Sequence, residues 1–246
     1  MSRASGILHV YAHPDDESFG NPATIALYAS RGVPMSMVTM TRGDAGDSTG
    51  RHSPEDLGRI REGELRAACE VLGISRLEVW DYPDGRLAEA GEEAVARLAA
   101  LCREVRPEVI VTYGDDGTTG HPDHLAVSRW AGEAFFRLRG EGGGAPPARL
   151  YWRAVPAHRR EKFARSDLVY RTDWTTILDA RDFGHVREAA ESCHASQRPH
   201  TDYSLPALAG LGAVDYYVRV FPEWKGGPPE SGLMGEPPHP EGTILP

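Results

Sequence analysis

Short apolar runs alternate with segments of helical periodicity through the first half of this chain, and this alternation is the feature that most restricts its fold. The apolar runs predict buried strands at 7–12, 35–41, 76–80 and 109–113. Apolar residues spaced three or four apart predict helices at 22–31, 55–72 and 92–104, with a fourth helix ending near 138. The order strand, helix, strand, helix predicts an α/β fold: a Rossmann-like, doubly wound and mostly parallel sheet with helices on both faces.

The rest of the chain continues this pattern and then changes character. Further strands are predicted at 150–154, 175–178 and 214–221, and a helix at 183–197. The Gly- and Pro-containing stretch at 140–148 predicts a surface loop. Residues 222–246 are rich in Pro and Gly, which predicts a tail without regular structure. We therefore expect a single domain at 1–221, followed by a C-terminal tail.

The charge balance argues against two kinds of partner, nucleic acid and an anionic membrane. The chain has 27 Lys and Arg residues against 36 Asp and Glu residues, a formal net charge of -9, and no basic run. An acidic protein repels a phosphate backbone, so we expect neither nucleic acid nor an anionic membrane as a partner.

The sequence predicts a cytoplasmic protein. No apolar stretch approaches the ~18 residues of a membrane span, and no signal peptide is predicted. Three widely spaced cysteines, expected to be reduced, agree with a cytoplasmic protein.

Two strings of His, Pro and Asp carry the chemistry predicted for this chain. HPDDE occupies 13–17, directly after the first predicted strand, and HPDH occupies 121–124, just beyond the fourth. Ligands of open α/β sheets bind outside the carboxyl ends of the strands, so two strings on that edge can converge on one point. Singly, each His fits an ordinary loop residue and each Asp fits a helix N-cap. The recurrence of the string after two strands is what indicates a shared metal site.

The residue types indicate a catalytic rather than a structural metal. Two imidazoles and one carboxylate suit Zn²⁺ with a position left for water, whereas structural zinc usually takes four protein ligands and often Cys. Zinc lowers the pKa of a bound water to about 7 and polarises a carbonyl. Asp15 and Asp16 are adjacent, so one can bind the metal while the other takes a proton from the water. Such a base contributes roughly 10² to 10⁴-fold in rate.

These strings, with Ala12 before the first and Gly120 before the second, resemble those of the LmbE-like or PIG-L-like N-acetylglucosaminyl deacetylases. The resemblance extends over roughly residues 7–200. It implies that the zinc ligands are His13, Asp16 and His124. It also implies that Asp15 is the general base and that His121 stabilises the oxyanion or protonates the leaving amine.

Other positions have a structural interpretation beside the functional one. Arg61 lies on the inward face of its predicted helix, where it either contacts substrate, as an arginine does in the family, or pairs with Glu64 or another acid. Arg42 is a further candidate for substrate contact. Asp84 either binds a sugar hydroxyl or makes a Pro-Asp-Gly turn. His194 and Gln197 belong to a string, HASQ, that resembles one near the end of the family domain and that favours a role in packing or in supporting the residues that bind the metal.

The residues and the resemblance together predict a zinc-dependent hydrolase. It would remove an acetyl group from an N-acetylated amino sugar or its conjugate by attack of an activated water. Ferrous iron is an alternative metal, and the resemblance implies a homo-oligomer. Some family members have a tyrosine where this chain has Thr119, so a phenolic contribution to catalysis would come from elsewhere or be absent.

Four alternative functions stay open at this point. An amidase of thiol conjugates would use the same site on another amide. A two-metal phosphoester hydrolase usually needs more ligands than the two strings supply. A nucleotide-binding module is disfavoured because no GxGxxG follows the first strand. A catalytically silent family member is disfavoured by the presence of Asp15 and His121.

Overall fold

The computed structural model describes residues 6–46, 50–141, 145–163, 166–200 and 213–240; part of the predicted loop at 140–148 and the end of the tail lie outside them. The strands are β1 (Gly6–Tyr11), β2 (Met35–Thr39), β3 (Arg76–Val79), β4 (Pro107–Thr112), β5 (Arg149–Pro156), β6 (Tyr170–Arg171), β7 (Thr176–Asp179) and β8 (Val214–Phe221). The helices are α1 (Asp16–Phe19), α2 (Pro22–Ser30), α3 (Pro54–Leu72), α4 (Gly91–Val105), α5 (Pro122–Gly140), α6 (Arg160–Phe163) and α7 (Gly184–Cys193). The predicted elements are present, whereas β6, α1 and α6 were too short to predict. No helix in the described part of the chain is long and apolar enough to cross a membrane.

The strands form one sheet in the order β3-β2-β1-β4-β5-β8-β7, with β6 paired to the end of β5. Neighbouring strands among β1 to β5 run parallel. β8 is antiparallel to both of its neighbours, β5 and β7. The prediction of a mostly parallel sheet is therefore confirmed, with an antiparallel extension at one side.

Alternate residues of the parallel strands face opposite layers of helices. Ile7 and Val109 belong to a buried cluster that includes residues of α2 and α7. Leu8 and Ile110 belong to a second cluster, which includes residues of α4 and α5. α3 packs against α2 and α7, and α4 packs against α5. Because both faces of the strands are covered, the predicted helices on both faces are confirmed, and the strands read as continuous apolar runs.

β1 and β4 are neighbours at the point where the strand order changes direction. From β1 the chain moves outward to β2 and β3, and α4 then returns it to the other side of β1, where β4 pairs. In such sheets a crevice lies outside the carboxyl ends of the strands at this point. The two His-Pro-Asp strings follow β1 and β4 and therefore meet at one edge.

The limits of α3 and α7 follow from their capping residues and backbone conformations. The Ser53 hydroxyl accepts a hydrogen bond from the Asp56 backbone N–H at 3.1 Å and caps α3, which ends at Gly73 in the left-handed conformation, with φ of 76°. α7 was predicted to reach 197 but ends at Cys193. The backbone of His194 leaves the helical conformation, with φ of -87° and ψ of 58°, and a 3₁₀ helix follows.

The described part of the tail lies against the domain. Glu230 accepts hydrogen bonds from the hydroxyls of Tyr151 and Thr176, each at 3.0 Å, and pairs with Arg219. Isolated β-bridges join Glu230 to Thr176 and to Pro238. The tail thus packs on the sheet without forming a regular strand, and the expected division of the chain at residue 221 stays a prediction.

Replacing Leu65 by Ala should lower the free energy of unfolding by about 2–5 kcal/mol, because this α3 side chain is fully buried and its truncation leaves a cavity. Val71→Ala on the same helix is the matched control. Its side chain is 41% exposed, so the expected loss stays within about 0.5 kcal/mol. Urea unfolding followed by circular dichroism, at equal metal content, measures both. An equal loss of the free energy of unfolding in the two variants would contradict the orientation of α3, in which Leu65 is buried and Val71 is exposed.

Candidate metal centre

The chain turns sharply after β1 and presents the first string at the sheet edge. Asp15 adopts φ of 110°, a conformation that costs a residue other than glycine about 1–3 kcal/mol. Asp16 begins α1, and its Oδ2 accepts a hydrogen bond from the His13 backbone N–H at 2.9 Å. The turn gives the two adjacent carboxylates different partners, which allows them to have different roles.

Three side chains from the two strings converge: His13, Asp16 and His124. Their nitrogen and oxygen ligand atoms lie within 4.8 Å of one another. His13 Nδ1 lies 3.6 Å from Asp16 Oδ2, and His124 Nε2 lies 3.4 Å from Asp16 Oδ1. All three residues are buried. The structure therefore brings together the side chains that were predicted to bind the metal.

In both histidines, the imidazole nitrogen that faces away from Asp16 contacts a carbonyl or carboxylate oxygen of the protein. His124 Nδ1 donates to the Gly117 carbonyl oxygen at 2.9 Å, which leaves Nε2 facing Asp16. His13 Nε2 lies 3.1 Å from both Asp84 Oδ1 and Asp123 Oδ2, which leaves Nδ1 facing Asp16. Metal-binding histidines are oriented in this way, with one nitrogen bonded to a carbonyl or carboxylate and the other free for the ion. The donor set therefore fits a divalent metal.

The charges of the three side chains bear on metal binding. Burial lowers the pKa of His124 to about 4, so this imidazole is neutral near pH 7. Burial would raise the pKa of Asp16, but His124 and His13 outweigh it and hold that pKa well below its usual range. The pKa of His13 is raised, because hydrogen bonds to Asp123, Asp16 and Asp84 outweigh the effect of burial. A metal ion must therefore displace a proton from His13, as expected when imidazole ligands bind.

Arg61 holds Asp15 and the loops around it. This side chain is 4% exposed, and its Nη2 donates to the Pro14 carbonyl oxygen at 2.6 Å and to Asp15 Oδ2 at 3.1 Å. Its Nη1 donates to the Gly43 carbonyl oxygen at 2.8 Å. Burial raises the pKa of Asp15 to about 7, against the opposing effect of Arg61. Arg61 thus pairs with an acid other than Glu64, namely Asp15, the predicted base.

The other two predicted substrate contacts occupy different positions. Asp84 contacts His13, and its second carboxylate oxygen accepts a hydrogen bond from the Ala45 N–H at 2.9 Å. Arg42 is exposed on the surface, with its Nε 3.6 Å from Glu62 Oε2 on α3. Asp84 therefore adjoins the metal centre, whereas Arg42 pairs with a neighbouring helix.

His121 lies beside the three converging side chains. Its ring centroid is 4.9 Å from that of His13 and 5.0 Å from that of His124, and the residue is exposed. Its Nδ1 accepts a hydrogen bond from the Asp123 backbone N–H at 3.1 Å and caps α5. A neutral His121 therefore carries its proton on Nε2, where it can donate to a substrate oxygen. His121 also belongs to a second possible donor set, with His13 and Asp123.

Three residues of the centre were not predicted from the two strings. The Tyr113 hydroxyl donates to Asp16 Oδ2, and its ring stacks on that of His124 with centroids 4.1 Å apart. Arg153 on β5 donates to the Asp16 carbonyl oxygen at 2.8 Å. Asp123 accepts from the backbone N–H groups of residues 85 and 87, besides contacting His13. Only Asp123 gave a signal in the sequence, since it lies within the second string.

A cavity of about 190 Å³ opens beside Asp16 and His124. It extends along β5 and β8, and its walls combine aromatic, amide and charged side chains, among them Phe19, Asn21, Arg159, Arg187, Asp215 and Tyr216. Thr119, which stands in place of the tyrosine of some family members, also lines it. Arg42, Arg61 and Asp84 are not part of this lining, so they approach the centre from elsewhere.

Residues 8–135 match the family described as PIG-L: GlcNAc-PI de-N-acetylase. This chain belongs to that family. The predicted family is therefore confirmed. The chain is 34% identical to the 1D-myo-inositol 2-acetamido-2-deoxy-alpha-D-glucopyranoside deacetylase of Salinispora arenicola strain CNS-205, in a match that covers 86% of this chain and 83% of that protein. The similarity to a named deacetylase supports the predicted enzyme class.

Solved structures share the fold. The N,N'-diacetylchitobiose deacetylase of Pyrococcus horikoshii gives a TM-score of 0.70 at 21% identity, covering 88% of this chain and 84% of that chain. The 4-carboxy-2-hydroxymuconate hydratase GalB of Pseudomonas putida KT2440 gives 0.66 at 25% identity, covering 92% and 99%. Because the fold occurs in both a deacetylase and a hydratase, the reaction has to be argued from the site.

We expect Asp16→Ala and His124→Ala each to lose most of the bound metal, because each removes one of three converging donors. His185→Ala, at an exposed position on α7, is the control and should keep the wild-type content. Inductively coupled plasma mass spectrometry measures the zinc per chain of each variant after reloading and dialysis. Full zinc content in both ligand variants would contradict the assigned donor set.

Proposed function

We propose that this protein is a zinc-dependent hydrolase that removes the acetyl group from an N-acetylated amino sugar or its conjugate. The observation that carries the proposal is the convergence of His13, Asp16 and His124, with the His121 ring beside them and Asp15 next to Asp16 in the chain. Amide hydrolysis needs a base for the attacking water and a donor for the carbonyl oxygen. A carboxylate and an imidazole that are not needed as ligands supply these two functions.

Two imidazoles and a carboxylate are a donor set that zinc prefers, and ferrous iron is the alternative. Such an ion, when bound, polarises a substrate carbonyl and lowers the pKa of a water molecule. His13 and His124 would hold it through Nδ1 and Nε2, the two nitrogens that face Asp16. The Tyr113 hydroxyl and the His13 backbone N–H, both bonded to Asp16 Oδ2, would keep that carboxylate in place.

Asp15 would take the proton from the attacking water. One of its carboxylate oxygens accepts from Arg61, and 22% of the side chain remains exposed, so it is both fixed in direction and accessible to water. His121 would donate from Nε2 to the carbonyl oxygen as the tetrahedral intermediate forms. The proton that Asp15 took from the water would then pass to the departing nitrogen, the C–N bond would break, and the nitrogen would leave as a free amine together with acetate.

The substrate would extend from the centre into the cavity along β5 and β8. The relative from Salinispora arenicola is named for a 2-acetamido sugar joined to inositol. Polar side chains such as Asn21 and Asp215, together with the aromatic surfaces of Phe19 and Tyr216, suit the hydroxyl groups and ring faces of such a compound. Arg42, Arg61 and Asp84 remain the substrate contacts proposed from the sequence, although Arg61 already holds Asp15.

We further propose a cytoplasmic enzyme that forms a homo-oligomer. Cys69 and Cys102 are buried free thiols, and Cys193 is also unpaired, which agrees with a reducing compartment. A catalytically silent protein and an amidase of thiol conjugates are the alternatives on the same site. A hydratase, the activity named for one structural relative, would add water to its substrate without releasing an amine.

Asp15→Asn should lower kcat about 10²–10⁴-fold while leaving the zinc content unchanged, because the amide cannot take a proton from water. The assay scores new primary amine from a panel of N-acetylglucosamine conjugates that includes the inositol glycoside. Asp182→Asn, at an exposed position, is the control. Unchanged turnover in Asp15→Asn would refute its role as the base. Absence of amine from the wild type on every compound would refute the proposed function.

His121→Ala should keep its zinc and lose about 10²–10³-fold in kcat, because it removes the donor to the carbonyl oxygen but no predicted ligand. Zinc content and kcat are measured on the same preparations. Loss of zinc in this variant would instead support the second donor set, with His13 and Asp123.

A further inference from the structure

A buried hydrogen-bonded pair joins the first string to the residue that follows α7. Glu17 Oε1 lies 2.6 Å from His194 Nε2, and neither side chain has any exposed surface. The Ser18 hydroxyl donates to the same Glu17 oxygen at 2.6 Å. Neither Glu17 nor His194 belongs to either of the donor sets of the metal centre. Buried polar side chains need hydrogen-bond partners in place of water, and each of these two has the other. Their position outside both donor sets indicates a role other than binding the metal.

The second oxygen of Glu17 connects this pair to Asp15. Glu17 Oε2 accepts a hydrogen bond from the Asp15 backbone N–H at 3.1 Å. Asp15 is the residue in the left-handed conformation, with φ of 110°, which an aspartate does not adopt without support from its surroundings. The pair therefore holds the backbone of Asp15 in the turn that separates its carboxylate from that of Asp16.

The side chain of Asp15 is held from a different element. Arg61 on α3 bonds its carboxylate, while Glu17 on α1 bonds its backbone. The helix that carries Arg61 is also joined to the segment after α7, because Glu64, on the next turn of α3, accepts hydrogen bonds from the Ser196 backbone N–H at 2.8 Å and from its hydroxyl at 2.7 Å. The HASQ string therefore contacts Glu17 through His194 and contacts α3, the helix that carries Arg61, through Ser196.

We infer that the Glu17–His194 pair is a positioning device for Asp15. Its role rests on the proposed function, in which Asp15 takes the proton from the attacking water. His194 bonds Glu17 and fixes its carboxylate, and Glu17 fixes the Asp15 peptide. Neither residue contacts the reacting atoms, so both are positioning residues rather than catalytic ones. The HASQ string therefore contributes to the orientation of the base as well as to packing.

His194→Ala should lower kcat about 10²-fold with KM and zinc content unchanged, since small displacements of a catalytic group have effects of this size. His194→Gln should recover part of the loss, because the amide can still donate to Glu17. Glu230→Gln is the matched control: it disrupts a buried ion pair with Arg219 far along the sheet and should leave kcat unchanged. An equal loss of kcat in the control would overturn the inference.

A double-mutant cycle separates positioning from general damage. In the Asp15→Asn background, His194→Ala should cost less than about twofold in residual kcat, because the group it positions is already absent. The same fold-loss in both backgrounds would overturn the inference. The cycle is interpreted on a wild type that releases amine, so failure of the proposed function is recognised separately by an inactive wild type.

A second measurement does not depend on turnover. The Asp15 N–H, which donates to Glu17, should exchange with deuterium about tenfold faster in His194→Ala than in the wild type, because its acceptor is no longer held. Glu230→Gln should leave this amide unchanged. Unaltered exchange at Asp15 in His194→Ala would overturn the inference even if kcat falls.

Discussion

The buried carboxylate of Asp16 is the group around which the site is arranged. An ionised carboxylate in the interior has to be compensated by hydrogen bonds and positive charge. Here the compensation comes from the His13 backbone N–H, the Tyr113 hydroxyl and the His13 imidazole, whose raised pKa favours its charged form, while Arg153 bonds the Asp16 carbonyl. These groups follow β1, follow β4 or lie on β5, which are consecutive in the sheet. The strand order is therefore what allows this carboxylate to remain ionised and oriented toward a metal.

Much of the fold could be predicted from the sequence because its strands are buried on both faces and its helices are amphipathic. The two His-Pro-Asp strings also located the centre, since each directly follows a strand. What could not be predicted depends on residues that meet only in the folded chain. Nothing near Arg61 in the sequence indicates that it bonds Asp15, and nothing in HASQ indicates that His194 reaches Glu17 and that α7 ends before it. Tyr113 and Arg153 looked like ordinary strand residues for the same reason.

The centre and the cavity determine different properties of the proposed enzyme. His13, Asp16, His124, Asp15 and His121 concern the reaction at the carbonyl carbon, and their arrangement does not specify what is attached to the amide. The cavity along β5 and β8 provides the surface that would distinguish one conjugate from another. This separation agrees with the occurrence of the same fold in deacetylases and in a hydratase. It also means that the shared strings identify the family more directly than they identify the substrate.

The central claim is that one ion binds between His13, Asp16 and His124 while Asp15 stays out of its coordination. Anomalous diffraction from crystals of the zinc-loaded protein, collected on both sides of the zinc absorption edge, tests this directly. We expect a single anomalous peak within about 2.0–2.2 Å of His13 Nδ1, His124 Nε2 and an Asp16 carboxylate oxygen, with Asp15 still bonded to Arg61. A peak held by His13, His121 and Asp123, or an ion bonded to Asp15, would contradict it.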